Sequence, residues 1–99
     1  MKIEFDPAKD LVNRMKHGES LREAIDLDWE KLLVSLDCRR DYGEPRQVGY
    51  APKDGRIYCV VFVDRGDTRR IISLRKANKR EVRDYVSARN IHGVHTPHS

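Results

Sequence analysis

The chain has 99 residues, which corresponds to a single domain. Charged residues make up 36% of it, above the roughly 25% usual in globular proteins. Its 20 Lys and Arg against 16 Asp and Glu give a formal charge of +4, which suits a polyanionic partner. No apolar run approaches the roughly 18 residues of a membrane span, and the N-terminus lacks the apolar core of a signal peptide. We therefore expect a cytoplasmic protein with no membrane association.

The first third of the chain predicts one strand and two helices. Residues 2–5 alternate polar and apolar, which indicates a short strand. Asp6 and Pro7 are typical of an N-cap and first helical residue, and Gly18 of the residue past a helix end. A capping box at Ser20 to Glu23 starts a second helix, which fades near Asp28. The helical period predicts one core-facing stripe on the first helix, made of Ala8, Leu11, Val12 and Met15.

The rest of the chain predicts four strands and a final helix. The strand candidates are Leu32–Leu36, Arg46–Tyr50, Ile57–Val63 and Thr68–Leu74. A loop containing Asp41, Gly43 and Pro45 separates the first two, and turns at Asp54-Gly55 and Arg65–Asp67 separate the others. The third candidate has apolar residues on both faces, so it belongs in the middle of a sheet.

A second capping box, from Asn78 to Glu81, begins the last helix. Its apolar face is predicted to consist of Val82, Tyr85 and Val86. Short turns between successive strands favour antiparallel pairing. We therefore predict an α+β domain, in which two N-terminal helices and one C-terminal helix cover a small curved antiparallel sheet.

The domain is expected to span residues 1–90 and to be followed by a flexible tail, residues 91–99. His92, His95 and His98 lie in the tail without an accompanying carboxylate or cysteine, so we predict no metal site and no cofactor. Cys38 and Cys59 are too few for a disulfide framework, and both are expected to be reduced, with Cys59 buried.

The cationic residues cluster in separate segments of the chain. Because strand ends distant in sequence can meet at one rim of a sheet, Arg46 and Arg75 could share a face with Lys16 and His17. Clustered guanidinium groups suit phosphate, since their planar fork binds two oxygens. The alternative is an ordinary solvated surface. His17 is placed to act as a general acid or, equally simply, to cap a helix C-terminus.

Acidic and aromatic side chains near these cations leave further alternatives open. Glu44 and Glu81 could act as a base or hold an arginine in place, and the ion-pair role is favoured. Tyr42, Tyr50, Tyr58 and Tyr85 could stack on nucleobases, and Tyr42 is the most available of them. Tyr58, from its place in the strand alternation, and Tyr85, from its place on the apolar face of the last helix, are expected to be core residues.

Several motifs, in this order, resemble the BrnT toxins of type II toxin–antitoxin systems. They cover roughly residues 3–86 and are Phe5-Asp6-Pro7-Ala8-Lys9, Asn13 with Lys16-His17-Gly18, Glu23-Ala24, Gly43-Glu44-x-Arg46, and Arg70-Ile71-Ile72-Ser73-Leu74-Arg75-Lys76-Ala77 with Glu81 and Tyr85. The resemblance implies a RelE-like fold and a ribonuclease that arrests translation. It also implies a cognate BrnA-like antitoxin, which neutralises the toxin in a hetero-oligomer and binds operator DNA.

The resemblance assigns function to the matching positions of this chain. It implies catalytic roles for Lys16, His17, Arg46 and Arg75. Substrate-binding candidates are Lys76 and Tyr85, which the resemblance suggests, with Arg39 and Tyr42, which the charge and aromatic patterns suggest.

The resulting hypothesis is metal-independent RNA cleavage by attack of a ribose 2′-OH on the adjacent phosphorus. Arg46 and Arg75 would stabilise charge on the phosphoryl oxygens with help from Lys16, and His17 would be the acid. Glu44 or a neutral Lys16 could be the base. The rival predictions are a non-enzymatic RNA- or ribosome-binding module and an inactive toxin homologue that only binds its antitoxin.

Overall fold

The computed structural model describes residues 1–35, 39–41 and 44–93. In chain order, its elements are β1 (Lys2–Phe5), α1 (Pro7–His17), two 3₁₀ helices (Leu21–Asp26 and Trp29–Lys31), β2 (Leu33–Val34), β3 (Arg39–Asp41), β4 (Glu44–Lys53), β5 (Arg56–Arg65), β6 (Thr68–Lys76) and α2 (Lys79–Gly93). Five strands lie in the order β1-β6-β5-β4-β2, and β3 pairs with the beginning of β4. The fold is therefore α+β.

The core lies on one face of this sheet. Its largest fully buried side chains are Phe62, Leu21, Ile71, Leu74 and Val60. Since β5 lies between β4 and β6, the prediction of a central strand over 57–63 is confirmed. The first 3₁₀ helix covers the core with Leu21 and Ala24, and the Trp29 ring meets Phe62 edge to face at 5.8 Å.

Helix α1 has the predicted ends, but its predicted core stripe is wrong. Asp6 caps it by accepting a hydrogen bond from the Ala8 backbone N–H, and Gly18 follows it with φ +74°. Its apolar residues face outward, with Leu11, Val12 and Met15 respectively 54%, 59% and 80% exposed. The buried residue of α1 is instead polar Asn13.

Asn13 is buried because it completes an open strand edge. Strand β1 pairs with only the first part of β6, from Thr68 to Ile71. Farther along β6, Leu74 donates its backbone N–H to Asn13 Oδ1 at 3.1 Å, and Asn13 Nδ2 donates to Leu74 O at 2.8 Å. Nδ2 also donates to Glu19 O at 2.8 Å. The side-chain amide thus takes the place of a strand partner, so polar contact holds α1 on the sheet.

The predicted wholly antiparallel sheet is also wrong. Strand β1 pairs parallel to β6. The prediction considered only strands joined by short turns, whereas the chain leaves β1, returns to the sheet at the opposite edge in β2 and reaches β6 last of the strands. The predicted second helix is a 3₁₀ helix, capped as expected by Ser20. Its buried Leu21 and Ala24 are three residues apart, which matches the 3₁₀ period.

Other element bounds differ from the predictions. The strand predicted over 32–36 contains only Leu33–Val34, with residue 36 outside the described residues. In the predicted loop over 41–45, Asp41 instead pairs with Glu44, and residues 42–43 lie outside the described range. Helix α2 runs to Gly93, past the predicted domain end, and residues 94–99 are not described.

Tyr85 of α2 is buried as predicted, whereas Val86 is 47% exposed, so its predicted place on the apolar face is wrong. Cys59 is a buried free thiol, and Cys38 lies outside the described residues. Within the described chain, no helix is long and apolar enough to span a bilayer.

Candidate functional site

A cationic groove of about 520 Å³ crosses strands β4, β5 and β6. Lys16 of α1, Arg46 of β4 and Arg75 of β6 line it. Its floor includes adjacent residues of the three strands, because Cys59 pairs in register with both Tyr50 and Arg75. These residues alternate with the core-facing Val60 and Leu74, so the groove lies on the other face of the sheet. Three elements distant in sequence thus contribute cations to one cavity. We call it the cationic groove.

Arg75 is held at the groove by Glu81 of α2. Two guanidinium nitrogens of Arg75 donate to the two carboxylate oxygens, each at 2.8 Å. The same carboxylate accepts the backbone N–H of Asn78 at 2.9 Å and the hydroxyl of Tyr50 at 3.2 Å. In return, Asn78 Oδ1 accepts the backbone N–H of Glu81, which completes the predicted capping box. Of the two roles considered for Glu81, the geometry favours holding an arginine.

The electrostatics of this cluster fix its charge states at neutral pH. The hydrogen bonds from Arg75 lower the pKa of Glu81 from 4.5 to about 2, so its carboxylate is ionised and a weak base. In turn, Glu81 raises the pKa of Arg75 above its ordinary value. Burial raises the pKa of Tyr50 to about 12 and also raises the pKa of the Cys59 thiol. Tyr50 and Cys59 are therefore neutral.

His17 lies beside the cationic groove rather than in it. It lines a neighbouring groove of about 500 Å³ along α1, which also contains Asn13 and Val12. Lys16, Ile72 and Ser73 line both cavities, so the two adjoin. Among the described residues, no carboxylate lies within ion-pair distance of the Lys16 amine. The ammonium group of Lys16 is thus available at the junction.

Of the other predicted site residues, Lys76 and Tyr85 do not line the cationic groove. Lys76 is exposed and lies 3.6 Å from the Glu19 carboxylate. Tyr85 donates its hydroxyl to the Lys31 carbonyl at 2.7 Å and is 8% exposed, which fits a structural role. Arg39 lies opposite Arg46 in the β3–β4 register. Tyr42 is outside the described residues, and Glu44 begins β4.

Two groove residues were not among the predicted site residues, although Tyr50 was one of the four tyrosines considered for stacking on a nucleobase. Tyr50 and Ser73 line the groove from β4 and β6. Strand parity offered a signal, since both residues alternate with core positions in their own strands. The register that aligns Tyr50 with Arg75 was not visible in the sequence.

Comparison with known families places the chain in one of them. The model of a family described as the ribonuclease toxin BrnT of type II toxin–antitoxin systems matches residues 5–81. The matched range contains Lys16, Arg46, Arg75 and Glu81. A search of curated proteins found no match. Because the family model covers well over half of the chain, the protein belongs to the BrnT family of type II ribonuclease toxins.

Proposed function

We propose that this protein is a metal-independent endoribonuclease toxin that arrests translation, and that the cationic groove holds the scissile phosphate. The observation that carries the proposal is the convergence of Lys16, Arg46 and Arg75 on one cavity. Arginine forks match phosphate oxygens, and preorganised cations stabilise the charge that develops on them during cleavage. The bidentate contact with Glu81 fixes the orientation of Arg75, which meets the phosphate with its remaining N–H groups because two of its nitrogens already donate to Glu81.

In the proposed reaction, the ribose 2′-oxygen forms a bond to phosphorus as the bond from phosphorus to the 5′-oxygen breaks. The products are a cyclic phosphate and a 5′-hydroxyl. Arg46 and Arg75 stabilise the phosphoryl oxygens, and His17 reaches from the neighbouring groove to protonate the leaving oxygen. Lys16 acts as one of the groove cations, so Glu44 is the candidate for the base that takes the 2′-proton. Glu81 is unsuited to that role because of its low pKa.

We further infer a RelE-like arrangement of the helices and a cytoplasmic toxin. A BrnA-like antitoxin would neutralise it in a hetero-oligomer that binds operator DNA. The family implies an antitoxin partner. The formal charge of +4 and the cationic groove support a partner that carries acidic side chains to this face.

The test compares Arg75→Ala and Arg46→Ala with Arg80→Ala. Arg80 is a matched control, because its side chain is 82% exposed on α2 and does not line the groove. Labelled RNA is incubated with each protein in EDTA, and growth arrest is measured on expression. We expect each groove variant to lose about 100-fold in cleavage rate, as is typical when a group that stabilises developing charge is removed.

Arg80→Ala should behave as the parent protein. Circular dichroism checks that the variants are folded, and Arg75→Lys keeps a cation if Arg75→Ala unfolds. Wild-type cleavage by a folded Arg46→Ala or Arg75→Ala variant would overturn the assignment. Loss of all cleavage in EDTA, restored by a divalent cation, would overturn metal independence.

The position of His17 favours one second candidate, a non-enzymatic RNA- or ribosome-binding module. His17 lines the groove beside the cations rather than the cationic groove itself. Such a module would retard intact RNA in a gel, with strong dependence on salt and no cleavage product. The EDTA incubation distinguishes the two candidates directly.

A further inference from the structure

A third cavity of about 250 Å³ lies between β2 and α2, and we call it the α2 slot. Its lining residues are Leu33, Val34, Ser35, Tyr50, Glu81, Asp84, Tyr85 and Ala88. Ser35 and Tyr50 also line the cationic groove, so the two cavities adjoin. A ligand bound in the groove therefore lies next to the α2 slot.

The chemistry of the α2 slot differs from that of the cationic groove. Its walls are largely aliphatic and aromatic, and its charged groups are two carboxylates. The Glu81 carboxylate is committed to Arg75, Asn78 and Tyr50. The Asp84 side chain is 71% exposed, and Arg80 approaches it only to 4.0 Å. A carboxylate here repels phosphate but accepts hydrogen bonds from N–H groups.

The volume of the α2 slot limits the size of the group that it can bind. Its volume of about 250 Å³ is large enough for one ring system. An uncharged, flat group with N–H donors that is covalently attached to a phosphate is a nucleobase. Aspartate is known to accept a hydrogen bond from the exocyclic amine of cytosine, and flipped-out bases are read through the same edge.

We propose that the α2 slot binds the nucleobase next to the phosphate in the cationic groove, and that Asp84 accepts a hydrogen bond from its exocyclic amino group. This inference rests on the proposed function. It predicts a preference for adenine, guanine or cytosine over uracil, which has no amino group. Because the groove along α1 adjoins the opposite side of the cationic groove, the RNA crosses the strands of the sheet rather than following them.

The experiment uses single-stranded RNAs that differ only in the base on one side of the cleaved bond, with each side varied in turn. Cleavage in EDTA and binding by fluorescence anisotropy are both measured. We expect the parent protein to prefer the three amino-bearing bases over uracil by about 5-fold or more, as expected for one base-edge contact. Asp84→Asn can also donate to a uracil carbonyl, so it should shift the preference towards uracil.

A second variant, Ala88→Phe, fills the α2 slot and leaves every groove cation in place. Ser87→Phe is its matched control, since Ser87 is the exposed neighbour on α2 and does not line the slot. Ala88→Phe should reduce cleavage of all the RNAs and remove the base preference, while Ser87→Phe should retain both.

The outcomes separate the two proposals. Base-dependent binding without cleavage would refute the nuclease and support the α2 slot. Cleavage without base preference, or identical behaviour of Ala88→Phe and Ser87→Phe, would refute base binding in the α2 slot and would not affect the nuclease proposal. Neither binding nor cleavage by the parent protein would overturn both.

Discussion

Replacing Glu81 by glutamine removes one charge from the centre of the candidate site and keeps the shape of the side chain. The pKa of Glu81 is about 2 in the folded protein, against an ordinary value of 4.5. Each pKa unit corresponds to about 1.4 kcal/mol, so the difference amounts to at most about 3.5 kcal/mol. The Arg75 and Glu81 side chains are 35% and 19% exposed, so water screens the ion pair. We therefore expect Glu81→Gln to lower the free energy of unfolding by about 2 kcal/mol at pH 7.

The pH dependence tests the cause of this loss. Since the folded-state pKa is lowered, the unfolded chain binds more protons than the folded one between about pH 4.5 and pH 2. The stabilisation by Glu81 is therefore complete above pH 4.5 and disappears as the pH falls towards 2. Urea unfolding followed by the fluorescence of Trp29 measures it. At pH 3, the difference between parent and variant should be about half its pH 7 value or less. An equal difference at pH 3 and pH 7 would show that the ion pair is not its source.

Three further predictions concern other contacts of the fold and the site. Asn13→Ala leaves backbone groups of Leu74 unpaired and should lower the free energy of unfolding by about 3 kcal/mol, whereas Leu11→Ser on the exposed face of the same helix should change it by less than about 0.5 kcal/mol. Equal losses in urea would contradict the polar attachment of α1. Arg69→Lys should lower the free energy of unfolding by about 1–2 kcal/mol. The Arg69 guanidinium makes paired hydrogen bonds to Asp64 and lies 4.2 Å from the Phe62 ring centre and 4.9 Å from that of Trp29, and a lysine cannot keep both kinds of contact. An unchanged urea midpoint would refute this. Tyr50→Phe should retain RNA cleavage within about threefold between pH 6 and pH 9, since a hydroxyl with a pKa of about 12 supplies no base there; a loss of about 100-fold, the effect typical of removing an acid or base, would give Tyr50 a catalytic role.

Local signals in the sequence predicted much of the fold. The cap at Asp6, the turn at Gly18 and the reciprocal cap of Asn78 with Glu81 are all confirmed, because each depends on a few adjacent residues. The turn at Asp54-Gly55 is confirmed for the same reason, with φ +52° and +74°. Such features need no knowledge of the distant chain.

Features that depend on distant pairing were harder to predict. The helical period of α1 correctly indicated a helix, but the burial of its stripe depended on a partner surface that the sequence did not show. The open edge of β6 beside Leu74 selected Asn13 instead. For the site, clustering of charge predicted the meeting of Lys16, Arg46 and Arg75. The contribution of Tyr50 required the register across three strands.

The carboxylate of Glu81 links the start of a helix to the orientation of Arg75, and this has a consequence for synthesis of the protein. In a nascent chain, Lys16 and Arg46 are in place at least 35 residues before residue 81 is added. Until the first turn of α2 has folded onto Asn78, the guanidinium of Arg75 lacks the carboxylate that orients it. Folding of the start of α2 therefore completes the organised form of the site.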